Sequence, residues 1–221
     1  MRTIILLVFV FANSFCFAQE SKQNIVQDIA AEPYLDDISK FFNPDKAIQI
    51  EFKYEVTTPE PPSKVTDHGS IIIKGDKYKL KLDDGEMYFN GKNLWVYNVA
   101  AAEVYRSVPT GESMDEMLMA PFRLIKDFKK YYKYRLMDDV VLSGTNYVQL
   151  ELYPMDLNTS YSIMRVLIDK KTRVLYSFSM QQKSGVVYTI FTKEIIKDVK
   201  ISESAFTWNA SLYKDVLEIE M

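Results

Sequence analysis

Apolar and polar residues alternate with period two through much of this chain, and the apolar positions are rich in aromatics. Ile48, Ile50, Phe52, Tyr54 and Val56 interleave with Gln49, Glu51, Lys53 and Glu55; Tyr78, Leu80 and Leu82 with Lys79 and Lys81; Val148, Leu150 and Leu152 with Gln149 and Glu151. Successive side chains of a strand point to opposite faces, so the pattern predicts a sheet with one wet face and one apolar face. The apolar face needs a cover.

Strands are expected near 48–57, 69–73, 78–82, 86–89, 94–98, 104–107, 132–141, 147–153, 161–168, 174–181 and 186–196, with a last short one that includes Phe206 and Trp208. Asp84-Gly85 and Asn90-Gly91 are strong hairpin signals, and Ser143-Gly144, 169–172 and Ser184-Gly185 mark further turns. Pro59, Pro61 and Pro62 cannot donate to a ladder and predict an exposed loop.

Helical spacing replaces the alternation twice. Over 24–42, Ile25 and Ile29 and then Leu35, Ile38, Phe41 and Phe42 predict two short helices, or one kinked at Pro33. Over 112–128, Met117, Leu118, Phe122, Ile125 and Phe128 form a stripe with Pro121 at a helix start. Many twisted strands joined in sequence order curl toward a barrel, and two helices suffice to cover only one side of it. The fold class expected is mainly β with a helical lid (α+β): an incomplete antiparallel β-barrel of about ten or eleven strands whose concave apolar face the helices cover.

The first residues lie outside this scheme. Arg2 precedes an apolar run over 4–11, and small and polar residues lead to Ala18. That arrangement predicts a cleaved signal peptide over 1–18 and a single domain over 19–221, exported out of the cytoplasm. Cys16, the only cysteine, falls in the removed segment, and Phe15 before it is too large for a lipid-modified cysteine. The mature chain then has no disulfide or thiol chemistry.

With 221 residues, 48% hydrophobic content and a net charge of −3, the chain reads as one folded domain without an electrostatic footprint for nucleic acid. His68, the only histidine, reads as a solvent-facing loop residue; neither a triad nor a metal set forms around it. Asp83-Asp84 and Asp138-Asp139 sit at expected turns or strand ends, and Gly75-Asp76-Lys77 is too short to cradle a phosphate. No enzyme, metal site or cofactor is expected.

Several blocks resemble a known family. Gly69 to Lys74, Lys77-Tyr78-Lys79-Leu80, Asn90-Gly91-Lys92-Asn93-Leu94-Trp95-Val96-Tyr97-Asn98 and Ala120-Pro121-Phe122-Arg123-Leu124-Ile125 are similar to the LolA family, periplasmic carriers of outer-membrane lipoproteins. Gly185 to Tyr188 and Ala205 to Trp208 resemble that family's last strands. The resemblance implies a half-barrel with an apolar cavity under a helical lid. It also implies transport of triacylated lipoproteins from an inner-membrane releasing ABC transporter toward an outer-membrane acceptor, by a monomer. Members of the best-known branch latch the lid with an arginine in the loop after the strand matching Ser70 to Lys74. Gly75-Asp76 stand there in this chain, with Lys74 and Lys77 the nearest replacements.

Strand parity then gives the expected lipid-binding surface: Phe52, Tyr54, Tyr78, Leu80, Met87, Phe89, Leu150, Leu152, Tyr176, Phe178 and Met180, with Phe122 from the second helical segment. A two-residue loop at Asn90-Gly91 would place Leu94 and Val96 beside Met87 and Phe89; a three-residue bulged loop, the form expected here, places Trp95 and Tyr97 there. The alternative is a closed core in which these side chains pack only against the helices. Other functional readings are a periplasmic sensor or interaction module on a related half-barrel, and a carrier of free lipid or glycolipid.

Overall fold

The alternating segments pair into one sheet of thirteen strands, in a computed structural model that describes residues 27–40, 43–109 and 127–221. The strands are β1 (Ala47–Thr58), β2 (Ser63–Lys74), β3 (Lys77–Leu82), β4 (Gly85–Phe89), β5 (Leu94–Asn98), β6 (Glu103–Ser107), β7 (Tyr132–Leu136), β8 (Val140–Leu142), β9 (Thr145–Pro154), β10 (Tyr161–Asp169), β11 (Leu175–Gln182), β12 (Val187–Val199) and β13 (Leu217–Glu220). Across the sheet the order is β13-β6-β5-β4-β3-β2-β1-β12-β11-β10-β9-β7, with β8 on β9. Neighbours are antiparallel except β13, which runs parallel to β6. The margins, β13 and β7, do not pair, so the sheet is open.

Four expectations need correction. The strands do not follow sequence order: β1 lies against β12 from Ala47 opposite Val199 to Thr57 opposite Val187, and β6 and β7 stand at far sides of the sheet. The expected strand over 132–141 is two, because β8 turns back on β9 through Ser143 (φ 48°) and Gly144 (φ 81°), leaving Val140 opposite Tyr147. The last strand excludes Phe206 and Trp208; Phe206 ends a 3-10 turn (Glu203–Phe206), and the final strand lies beyond, at β13. His68 is an exposed residue of β2, not of a loop. The proline-rich segment does form the turn between β1 and β2.

Helix is sparse among the described residues. A 3-10 turn (Ile29–Ala31) leads into α1 (Glu32–Ser39), with Pro33 in its first turn, where a missing N–H costs nothing. Helix α2 (Phe128–Tyr131) is one turn long and runs directly into β7. Residues 1–18 with Cys16, and Ile25, Phe41, Phe42, Phe122 and most of the expected second helix, lie outside the described residues.

Each face of the sheet has its own core. The larger lies on what we call the inner face and takes side chains from β1 to β5, β7 and β9 to β12, together with Ala31, Leu35 and Ile38 of the N-terminal turn and helix. The smaller lies on the outer face, where Tyr88, Trp95 and Val104 pack under Trp208, with Tyr97 and Tyr213 alongside. The stretch after β12 therefore crosses the outer face before β13 forms. Trp208 stacks on Tyr213 at 4.1 Å, and the Glu86 carboxylate accepts hydrogen bonds from the hydroxyls of Tyr88 and Tyr213.

On the inner face the Phe52 ring lies over Gly69, its partner on β2. A Cβ at Gly69 would meet Phe52 Cζ at 2.6 Å, Leu82 Cδ2 at 2.7 Å and the Lys81 carbonyl oxygen at 2.8 Å, the last a backbone atom that cannot swing away. Gly69→Val is expected to destabilise the protein by about 1–3 kcal/mol through overpacking, read as a lower urea midpoint at unchanged m-value.

Candidate functional site: the inner face and its helix

Apolar side chains form continuous rows across the inner face. Leu150, Val166, Phe178, Ile190 and Tyr54 stand opposite one another on five consecutive strands, from β9 to β1. Leu152, Met164, Met180, Tyr188 and Val56 make the adjacent row. On the other half Ile50, Ile71, Leu80, Met87 and Val96 continue the surface. Methionine and aromatic side chains among these repack readily around an irregular apolar guest.

Phe52, Tyr78, Leu80, Met87, Phe89, Leu150, Leu152, Phe178 and Met180 are buried in the inner-face core, and Tyr54 packs against it half-buried. Three other residues expected on this surface are not there. Asn90 N–H donates to the Asn93 carbonyl at 3.2 Å, closing a two-residue loop of Gly91 (φ 93°) and Lys92. The even loop sets Leu94 opposite Phe89 and Val96 opposite Met87, which turns Trp95 and Tyr97 to the outer face. Asn90 secures this turn by accepting from the N–H groups of Lys92 and Asn93 through its Oδ1.

Tyr176 is displaced by a β-bulge. Leu167 stands opposite Ser177 but Ile168 opposite Leu175, so the extra residue reverses parity, and Leu175 enters the core while Tyr176 leaves it. Tyr176 lies instead on the outer face, 4.4 Å from the Tyr147 ring.

Sequence reasoning omitted Met164, Val166, Tyr132 and Tyr134, although Tyr132, Tyr134 and Leu136 alternate plainly with Lys133 and Arg135. The alternation alone could have found them.

Helix α1 sits on the inner face by few apolar contacts and many polar ones. Leu35 and Ile38 are fully buried, each worth about 1.5–3 kcal/mol. Around them, Tyr134 donates its hydroxyl to Glu32 at 2.6 Å, and Lys129 pairs with Glu32 at 2.9 Å and Asp36 at 3.5 Å. From the turn between β10 and β11, Arg173 donates Nε to Asp37 and a terminal nitrogen to the Pro33 carbonyl, each at 2.8 Å. Its guanidinium also lies 3.7 Å from the centre of the Tyr34 ring. One arginine thus grips a carboxylate, a carbonyl and a ring of α1, a grip that a lysine's point charge does not reproduce.

Lys74 and Lys77 hold no such place. Both bind Glu203 at 2.5 Å, and these hydrogen bonds, Lys74's foremost, hold that carboxyl down to about 2.

The polar attachment of α1 is pH-sensitive. The hydrogen bond from Tyr134, then that from Lys129, lowers Glu32 below its ordinary 4.5, and those from Lys40, then Arg173, lower Asp37 below 3.8. Tyr134 moves the other way, raised by burial first and then by its bond to Glu32.

The sequence pattern of the family described as outer membrane lipoprotein carrier protein LolA matches residues 61–186, more than half of the 221. The chain belongs to that family. The match to LolA runs from the start of β2 to just before β12, leaving β1 and β12 to complete the centre of the sheet outside it. An uncharacterized conserved protein from Thermus thermophilus is similar in structure, with a TM-score of 0.56 at 12% identity over 87% of this chain and 99% of that one. A LolA superfamily protein from Nitrosomonas europaea gives 0.44 at 13% identity over 80% and 97%. The lipoprotein LppX from Mycobacterium tuberculosis gives 0.42 at 12% identity over 78% and 96%. No curated protein sequence matches the chain.

This placement of the aromatics has a spectroscopic consequence. Both tryptophans of the chain, Trp95 and Trp208, pack on the outer face. Intrinsic tryptophan emission is expected to stay unchanged when an apolar ligand loads the inner face of this LolA-family sheet; a large shift on loading would place the ligand on the outer cluster instead.

A second expectation concerns α1. Because Glu32 and Asp37 titrate below their ordinary values, their hold on the helix is complete above those values and fades as pH falls through the lower folded ones. Protection of the α1 amides, corrected for intrinsic exchange, should drop on acidification to about pH 3 before the sheet amides respond. Arg173→Ala should produce the same selective loss at neutral pH. Equal protection of α1 in both experiments would show that these polar contacts do not hold it.

Proposed function

We propose that this protein is a carrier, not an enzyme, that shields the acyl chains of lipoproteins against the inner face of its sheet and shuttles them from the inner to the outer membrane. The observation that carries this reading is the inner face itself: five-residue apolar rows spanning several strands, with α1 anchored on them by two large apolar side chains and a ring of polar contacts. Membership of the LolA family supports lipoproteins as the cargo.

The energetics fit a shuttle. A buried methylene is worth about 0.8 kcal/mol, so one acyl chain of about fifteen carbons costs on the order of 10 kcal/mol to expose to water. An apolar trough offsets that cost. Release requires that the trough bind less tightly than the final acceptor, and a helix competing for the same surface lowers the net affinity of any guest it must make way for.

In this reading residues 1–18 are removed on export, residues 19–221 form the single working domain, and the protein acts in the periplasm as a monomer. It receives acylated lipoproteins from an inner-membrane lipoprotein-releasing ABC transporter and passes them to an outer-membrane acceptor. The lining comprises the inner-face residues expected from the sequence, with Val166, Met164 and Ile190 added and Trp95, Tyr97 and Tyr176 removed.

The purified protein is expected to co-isolate with acyl-bearing ligand in native mass spectrometry and to take up lipoprotein released from inner-membrane vesicles. Ile190 is half-buried within a row, between Phe178 and Tyr54, so Ile190→Glu should keep the fold, checked by circular dichroism, and reduce uptake at least about tenfold through the cost of facing hydrocarbon with a charge. Absence of both bound lipid and transfer in the wild type would sink the carrier reading.

A further inference from the structure

Among the described residues, the inner face holds a hydroxyl pair whose hydrogen bonding is incomplete. Tyr132 on β7 and Tyr161 on β10 bring their hydroxyls to 2.7 Å, and both residues are wholly buried in the inner-face core. They meet across β9 at its last residue, Pro154, which lies opposite Tyr132. Each phenol carries one hydrogen, so whichever donates to the other, the second hydrogen is left over. Among the described residues it has no acceptor. Burial also raises both phenols, Tyr132 far above the ordinary tyrosine range, so both stay protonated donors at neutral pH.

Farther along the same face Thr192, opposite Phe52, buries a hydroxyl oxygen that also lacks a partner among the described residues. A buried donor without an acceptor is destabilising, and natural interiors seldom keep one without a use. The guest that completes such a surface is apolar along its length and offers an acceptor but no donor. Hydrocarbon alone leaves the phenol unsatisfied. A fatty acid would bring a carboxylate, whose charge is costly to bury beside phenols alone. An ester carbonyl at the root of two acyl chains fits both requirements.

We propose that the Tyr132–Tyr161 pair is a carbonyl-recognition site that donates its spare hydroxyl hydrogen to an acyl ester of a diacylglyceryl group, with the chains running from there along the apolar rows. The accepting phenol is the better donor for being polarised by its partner, as in other hydrogen-bonded chains. The site lies at the β7 side of the sheet, beside the open margin, and the chains cross the face from there. The inference rests on the lipid-carrier reading above and specifies which part of the lipid is read.

The test compares dipalmitoylglycerol with its dialkyl ether analogue, which has the same chains and no carbonyl, each displacing a fluorescent apolar probe from the purified protein. Wild type should prefer the ester by about fivefold, the worth of one hydrogen bond. The double variant Tyr132→Phe, Tyr161→Phe removes both hydroxyls at nearly constant volume, so it should fold, bind the ether lipid as wild type does, and lose the preference. Single Phe variants leave one phenol able to donate and should retain part of it.

Equal binding of ester and ether by wild type, or a preference that survives the double substitution, overturns the proposal while leaving the carrier reading in place. Failure of wild type to bind either lipid overturns both. If the double variant does not fold, the infrared carbonyl stretch of the bound ester in wild type decides: a shift to lower wavenumber supports the site, and an unshifted band overturns it.

Discussion

Everything in this fold depends on the ladder between β1 and β12. Without it the chain would form two separate meanders, one from β1 to β6 and one from β9 to β12, each with an apolar face too small to enclose anything. Twelve and thirteen residues long, these strands are among the longest in the sheet and pair over nearly their whole length. They also join residues more than a hundred apart, so the sheet completes itself only when most of the chain is present. A topology so dominated by distant contacts predicts slow folding relative to helical domains of equal size.

That ladder brings the two half-surfaces together, and the N-terminal segment then covers part of the result. The division of labour within α1 is physically informative. Its apolar anchor is small, two large side chains and Ala31, whereas its polar attachment involves β7, α2 and the β10–β11 turn. An element fixed mainly by exposed or half-exposed charge pairs has weaker net support than one fixed by apolar area, because water competes for each partner. The same segment is therefore ordered and replaceable.

Much of this was legible in the alternation of side chains. Nearly every strand stands where the period-two pattern predicts it, and Pro33 does mark a helix start. What the pattern could not supply were single-residue events that reverse parity. The even loop at Gly91-Lys92 flips Trp95 and Tyr97 to the far face and the extra residue at Tyr176 flips Tyr176, and both depend on local hydrogen-bond geometry rather than composition. Distant adjacency was also hidden: neither β1 beside β12 nor Arg173 beside α1 has a local signature. The outer aromatic cluster escaped for a related reason, since Trp208 and Tyr213 cover Tyr88 and Trp95 from a stretch that reads as irregular.

An open sheet faces a hazard that a closed barrel avoids, since each margin presents unpaired backbone groups to any other strand. Here the two ends of the described chain lie at the two margins, one capping β7 and the other forming β13 itself. At β7, Asp28 donates its backbone N–H to the Tyr134 carbonyl and accepts from the Leu136 N–H through its side chain. At the far side β13 lies parallel on β6, pinned by Arg106 and Glu220 at 2.8 Å. Parallel pairing follows from the path of the chain, which must cross the outer face before it reaches that edge. The consequence is colloidal: losing the N-terminal segment would bare the backbone groups of Tyr134 and Leu136 that Asp28 now occupies, leaving the β7 margin open to a strand from another copy.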